Sequence, residues 1–158
     1  MSYDDAMESL SNDALKLIKN NQVIGLGSGR AATALVKSLG KLIKLKNYNI
    51  KGIPTSLQIK LIAEKAGIPL IESDQVNHID IVFDGADQID FDKYVIKGGG
   101  GALLRENILF SLAKKVVVMA DKTKFVKKFT RTVPIEIHPL ARNSVIRSIK
   151  KLGGESKI

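Results

Sequence analysis

QVIGLGSGRAATALVKSLGKL, residues 22–42, is the stretch on which the fold turns. QVIGLG (22–27) is a short apolar run that stops at glycine, as a buried strand does. From about Arg30 to Lys44, residues Ala31, Ala34, Leu35, Leu39 and Leu42 recur at helical spacing and predict a helix with one inward face. A strand with no polar alternation, delivered through a glycine turn into an amphipathic helix, is the repeating unit of a parallel sheet.

The same alternation extends in both directions. Upstream, a helix is expected from about Asp4 to Lys19, with Leu10, Ala14, Leu17 and Ile18 on one face. Downstream, NIKGIP (49–54) is a strand stopped by Pro54, and SLQIKLIAEKAG (56–67) is a helix with Ser56 as N-cap and Gly67 as its stop. IPLIE (68–72) is a short strand, and IDIVFDGAD (79–87) is a strand that runs into an acidic loop. YVIKGGG (94–100) is a short strand leading into glycines, ALLRENILFSLAKK (102–115) a helix, and VVVMAD (116–121) a fully buried strand. Val/Ile strands alternating with helices imply an α/β fold, a doubly wound, mostly parallel, Rossmann-like sheet. After Asp121 the pattern changes: TVPIEIHPL (132–140) reads as a strand and ARNSVIRSIKKLGG (141–154) as a helix. One strand and one helix cannot cover each other's apolar faces. The expected organisation is an α/β domain over 1–130 and the start of a small, incomplete α+β domain over 131–158.

In doubly wound sheets, ligands bind outside the carboxyl ends of the strands. Three unusual loops take that place: GSGR after the first strand, DGAD after the IVF strand and KGGGG after the YVI strand. In GLGSGRAA (25–32) small residues let backbone N–H groups approach an anion at a helix N-terminus; the plain alternative is a tight turn without a ligand. Its spacing resembles a dinucleotide fingerprint, but alanines stand at the third glycine position and no acidic ribose reader follows the second strand. DGAD puts Asp84 and Asp87 three residues apart, where mutual repulsion raises at least one pKa and prepares it for proton transfer; metal binding or a solvated turn are the alternatives. Asp90 and Asp92 read as solvent loop. Lys97 before Gly98, Gly99, Gly100 and Gly101 looks like backbone cleared for close contact with a ligand, because four glycines cost chain entropy that a simple turn does not require. Glu106 falls in the first turns of the following helix, near the same mouth. His78 and His138 are isolated and read as structural.

Composition bounds the function. The 158 residues are 44% hydrophobic and 26% charged, with no cysteine, which excludes disulfides, thiolate metal sites and cysteine nucleophiles. No apolar run approaches the roughly 20 residues that span a bilayer, and the acidic N-terminus lacks the pattern of a signal peptide; a cytoplasmic location without membrane contact is the default. The net charge of +9 suits an anionic partner or a lysine-rich solvated surface. The densest basic stretch, Lys122 to Arg131, holds Phe125 and Phe129 four apart, which fits inward packing better than an RNA-stacking site.

GLGSGRAA, GIPTSLQIKLIAEKAGIPL, DIVFDGADQID, KGGGGALLREN and ADKTKF, taken in this order, resemble ribose-5-phosphate isomerase of the A type. VPIEIHPLARNSVIRSIKKLGG is similar to that family's entry into its small α+β domain, and family members run on past the point where this chain stops. The resemblance implies interconversion of ribose 5-phosphate and ribulose 5-phosphate through an enediolate, with no metal and no organic cofactor. It implies Glu106 as the proton-shuttling base, Lys97 as the stabiliser of the enediolate, Asp84 as helper in ring opening and Asp87 as a contact to sugar hydroxyls. It also implies substrate contacts from Ser28, Gly29, Arg30 and Ala31, from Gly85 and Ala86, from Gly98, Gly99 and Gly100, and from Lys124. Arg30 and Ala31 stand where the family carries hydroxyl residues, Gln88 where it carries an acid, and Met7 where a lysine is frequent. The implied partner is a sugar phosphate and not nucleic acid, with a homo-oligomer, dimer or tetramer, for the full-length form. Two other readings on related folds are a sugar-phosphate sensor without catalysis, which needs no base, and coenzyme A transfer by a glutamate nucleophile, which DGAD and KGGGG fit poorly.

Overall fold

The computed structural model describes residues 3–158; Met1 and Ser2, which open the acidic N-terminal stretch, lie outside the described residues. In chain order the elements are α1 (Tyr3–Leu15), β1 (Val23–Leu26), α2 (Gly29–Lys46), β2 (Lys51–Pro54), α3 (Leu57–Ala66), β3 (Ile81–Gly85), β4 (Gln88–Ile89), β5 (Val95–Ile96), α4 (Leu103–Leu112), β6 (Val116–Met119) and α5 (Arg142–Lys151). Four strands form a parallel sheet in the order β2-β1-β3-β6.

Topology follows from which way each crossover travels. From β1 the chain passes through α2 to β2, then through α3 to Leu70, which makes a single parallel bridge with Gly52 beyond β2. From β3, on the other side of β1, it passes through α4 to β6. Right-handed crossovers that travel in opposite directions must lie on opposite faces. Accordingly Leu35 and Leu39 of α2 and Ile59 and Ala63 of α3 pack with Ala14 of α1 against Ile24, Leu26, Ile81 and Phe83. Leu109 of α4 packs with Ile53, Ile79 and Val82 on the reverse face. The sheet is doubly wound, and β1 and β3 are the neighbours whose connections part, the place where such folds open a crevice.

The caps of α3 fall where the sequence puts them: the Ser56 hydroxyl accepts the Ile59 N–H at 3.2 Å, and Gly67 closes the helix in the left-handed region at φ 77°. Other expectations are corrected. α1 ends at Leu15 rather than Lys19, in a turn where Asn21 takes φ 63°. IPLIE makes one bridge rather than a strand, since Pro69 has no N–H to continue a ladder. YVI does not join the main sheet; β5 pairs antiparallel with β4 in a separate hairpin. β6 is an edge strand and only half covered, with Val116 40% and Val118 37% exposed on the α4 side. TVPIEIHPL forms no strand, because among the described residues no partner strand lies beside it, and Val133, Ile135 and Ile137 stay exposed. Phe125 is 50% exposed and does not pack inward, since the helix its spacing suggested is only a 3₁₀ turn ending at Lys124. α5 forms as expected but buries none of its residues.

Leu39 is fully buried between α2, its neighbouring helices and the sheet. Leu39→Ala is expected to cost about 2–5 kcal/mol of unfolding free energy, read as a lowered midpoint in a urea titration with an unchanged slope.

Candidate active site

The crevice between β1 and β3 is floored by backbone that comes unusually close to a carboxylate. The Gly27 N–H donates to the Phe83 carbonyl at 2.8 Å, and a Cβ on Gly27 would fall on the Asp84 side chain and that carbonyl. Glycine is therefore required here by proximity. The next residue, Ser28, sits at the N-cap position of α2, yet its side chain makes no cap. Its hydroxyl donates instead to Glu106 Oε1 at 2.6 Å, and its backbone N–H donates to Asp84 Oδ1 at 3.1 Å.

Asp84 ends the apolar run of β3 and is 1% exposed. Its Oδ1 also accepts the Gly85 N–H at 2.7 Å. Asp87 has different partners: Oδ2 accepts the Gly99 N–H at 2.8 Å, and Oδ1 lies 3.5 Å from Arg131 Nη1. The two acids of DGAD are thus not a mutually repelling pair. Burial pushes the Asp84 carboxyl above its usual range, and the negative charge of Glu106 adds to this; Lys97 and the Gly85 N–H oppose it without cancelling it.

Lys97, one residue beyond β5, reaches back to this floor. Its Nζ donates to the Gly85 carbonyl at 2.7 Å and lies 2.9 Å from Asp84 Oδ2 and 3.2 Å from Glu106 Oε2. The Phe110 ring flanks the ammonium with its centroid 5.5 Å away. Glu106, in the first turn of α4, is 2% exposed. Asp84 Oδ2 and Glu106 Oε2 are buried, and the Lys97 ammonium is the charged partner of both. Gly98 turns the chain away from Lys97 at φ 101°, a conformation that favours glycine, with Leu103 and Pro134 packed on it.

These groups share one cleft of about 290 Å³. Its walls contain every residue that the family resemblance implies as a catalytic or substrate contact: Ser28, Gly29, Arg30 and Ala31; Asp84, Gly85, Ala86 and Asp87; Lys97, Gly98, Gly99 and Gly100; Glu106; and Lys124. Gly101 lies outside it, in the turn that closes with its N–H on the Gly98 carbonyl. Met7, noted from the sequence only as a departure from the family, also lines the cleft, as do Leu10, Asp121 and Arg131, which were not expected there. Asp121 had a legible signal, a strand-end acid before Lys-Thr-Lys; its side chain accepts from the Thr123 hydroxyl and N–H, which holds its carboxyl below the usual range with help from Lys124. Arg131 had none, because its segment carries no periodicity. His78 pairs with Asp80 at 3.5 Å, and His138 accepts the Leu140 N–H at 3.3 Å, both outside the cleft walls. Among the described residues no group of three or more His, Cys, Asp or Glu could hold a metal ion, and no helix is long and apolar enough to cross a membrane.

Residues 51–158 match the family described as Ribose 5-phosphate isomerase A (phosphoriboisomerase A). A curated relative from Trichodesmium erythraeum, named Ribose-5-phosphate isomerase A, is 42% identical over 96% of this chain, which spans 65% of that relative. The solved ribose 5-phosphate isomerase A of Methanocaldococcus jannaschii superposes with a TM-score of 0.89 at 38% identity, over 98% of this chain and 69% of that one. A D-ribose-5-phosphate isomerase solved in complex with phospho-erythronic acid superposes at 0.88 with 35% identity, over 97% and 68%. The chain therefore spans about two thirds of the length of the curated relatives it matches.

The raised Asp84 carboxyl has a sign that can be measured. Between the ordinary value of 3.8 and the raised native one, the folded protein keeps a proton that the unfolded chain has lost. This group's contribution to stability therefore falls as pH rises through that window. Asp84→Asn keeps the acceptor for Ser28 and Gly85 but cannot titrate. The stability of the wild type minus that of Asp84→Asn, from urea titrations at a series of pH values, is expected to fall from pH 3.8 upward; a flat or rising difference contradicts the assignment.

Proposed function

The chain belongs to the ribose 5-phosphate isomerase A family, and on that premise we propose that it interconverts D-ribose 5-phosphate and D-ribulose 5-phosphate through an enediolate, a step of the pentose phosphate pathway. The observation that carries the reading is the pair of buried carboxylates, Asp84 and Glu106, held on either side of one ammonium at the cleft. Carboxylates and an ammonium gathered at one cleft offer the acceptors and donors that a polyhydroxylated ligand needs.

Aldose–ketose isomerisation needs a base, a stabiliser of oxyanion charge and an anchor for the substrate. Glu106 is the base: its carboxylate takes the proton from C2 of the open-chain aldose. The electron pair forms the C1–C2 double bond and charge collects on O1. The ammonium of Lys97, already desolvated and fixed by the Gly85 carbonyl, stabilises that charge without having to reorganise. Return of the proton to C1, with the O2 proton passed to O1, gives the ketose. Ser28 fixes Glu106 through its 2.6 Å hydrogen bond, so the base has one orientation. Asp84, whose carboxyl holds a proton at higher pH than usual, serves ring opening, and Asp87 orients sugar hydroxyls.

The phosphate lies toward the N-terminus of α2, among Ser28, Gly29, Arg30 and Ala31, with Lys124 lining the same cleft. The other solved relative's ligand, phospho-erythronic acid, combines a phosphate with a sugar-like carbon chain and supports a sugar phosphate here. Residues 1–130 form the catalytic unit and 131–158 belong to a small α+β unit, which agrees with an α5 that buries nothing in the first. The same reading puts the protein in the cytoplasm, its full-length family form a homo-oligomer, acting on a small molecule rather than on nucleic acid or a membrane, with no cofactor.

Turnover of ribose 5-phosphate by this chain, without added metal, is the expected result. Glu106→Gln, which keeps an acceptor for Ser28, is expected to lower kcat by about 10²–10⁴. An unchanged rate in Glu106→Gln removes Glu106 as the base, and tight binding without turnover by the wild type favours a sugar-phosphate sensor.

A further inference from the structure

Residues 130–136 adopt neither helix nor strand, yet they touch the parts that hold the site together. At one end the buried Gln88 side chain accepts the Thr130 and Arg131 N–H groups at 3.0 and 3.1 Å and donates to the Thr130 hydroxyl at 2.7 Å. Arg131 then reaches Asp87, and Pro134 packs on Gly98. At the other end Glu136 Oε2 accepts the Leu104 N–H at 2.7 Å.

That last contact fills a specific gap. The first N–H groups of a helix have no acceptor within it and are normally served by an N-cap side chain. α4 has Ala102 at that position, which has nothing to offer. Leu104 is the second residue of α4, where an N-cap side chain would bond, and Glu136 supplies the oxygen from 32 residues away. A carboxylate there also complements the helix dipole. Two residues further on, Glu106 projects from the same turn into the cleft.

We propose that residues 130–136 are a strap across the site and that Glu136 is a positioning residue for Glu106, acting as the N-cap that α4 lacks. The structural half stands on the contacts above; the catalytic consequence rests on the isomerase reading. Fraying of the first turn would swing Glu106 away from Ser28 and Lys97 while leaving the sugar-phosphate contacts of the other loops in place.

The test compares the 158-residue wild type with Glu136→Ala and Glu136→Gln, whose amide oxygen can still accept from Leu104. Amide exchange at Leu104 is expected to speed up about tenfold in Glu136→Ala and to stay within about threefold of wild type in Glu136→Gln, with α3 unaffected. The side-chain carboxyl ¹³C signal of Glu106 should move in the first variant and stay in the second. kcat on ribose 5-phosphate should fall about tenfold in Glu136→Ala, with KM within about twofold, and recover in Glu136→Gln. Equal exchange in all three chains, faster exchange throughout the chain, or a Glu106 signal indifferent to both substitutions overturns the proposal. So does an unchanged kcat in Glu136→Ala. If the wild type does not turn over ribose 5-phosphate, the isomerase reading fails, and the exchange and carboxyl signals alone decide whether the strap positions Glu106.

Discussion

The Lys97 ammonium between Asp84 and Glu106 is the interaction on which the rest of the site depends. Its members come from the end of β3, the residue after β5 and the first turn of α4, and the Gly85 carbonyl and Ser28 hydroxyl complete their coordination. Two carboxylates and one ammonium leave a net negative charge in a buried place. Desolvation makes such an arrangement costly unless every partner is fixed, and removal of the cation would strand two buried charges. Burial is what chiefly raises the Asp84 carboxyl, and the second acid, Glu106, adds to it against the opposing pull of the shared Lys97.

The fold makes that arrangement possible by leaving a gap. α2 departs from β1 across one face, while the connection that follows β3 leads to α4 on the other. Between them the carboxyl ends of β1 and β3 have no helix of their own to cover them. Gly27 lets the two strand ends approach until Asp84 can accept the Ser28 N–H, so the turn that starts α2 is fastened to β3 by the residue that also pairs with Lys97. Fold and site are therefore coupled through Asp84: it ties a backbone turn with one oxygen and faces a catalytic candidate with the other.

How far the sequence discloses this depends on the range of the interaction concerned. The Val/Ile runs of β1, β3 and β6 and the glycine stops between them carry local signals, and they suffice for a doubly wound sheet. Ser56 and Gly67 announce their caps because capping is a three-residue affair. KGGGG was legible as a ligand loop but not its setting, since a two-residue strand such as Val95–Ile96 has no period with which to choose between a parallel sheet and a hairpin. VVVMAD reads as fully buried from its composition alone, but composition does not reveal that β6 sits at the sheet edge. The contacts of Arg131, Gln88 and Glu136 were not legible: Gln88 stood out only as a departure from the family and Arg131 only as the end of a basic stretch. Their partners lie 32 to 44 residues away, and nothing local marks a residue whose role is to close such a contact.

The charge of the chain acquires a direction once the site is placed. A surplus of +9 is read from composition as a general liking for anions. In the cleft both signs meet: Asp84 and Glu106 flank Lys97, Asp87 lies 3.5 Å from Arg131, Asp121 feels the charge of Lys124, and Arg30 lines the same walls. A sugar phosphate is polar in the same sense, with hydroxyls at one end that can donate to carboxylates and a dianion at the other that needs cations. An acidic floor alone would repel such a ligand, and a uniformly basic cleft would hold it in either direction. Buried carboxylates around Lys97 and cations on the walls, set over a low-dielectric interior, serve both ends of such a ligand at once. In the proposed reaction this match is what brings C1 and C2, rather than the phosphate, to Glu106.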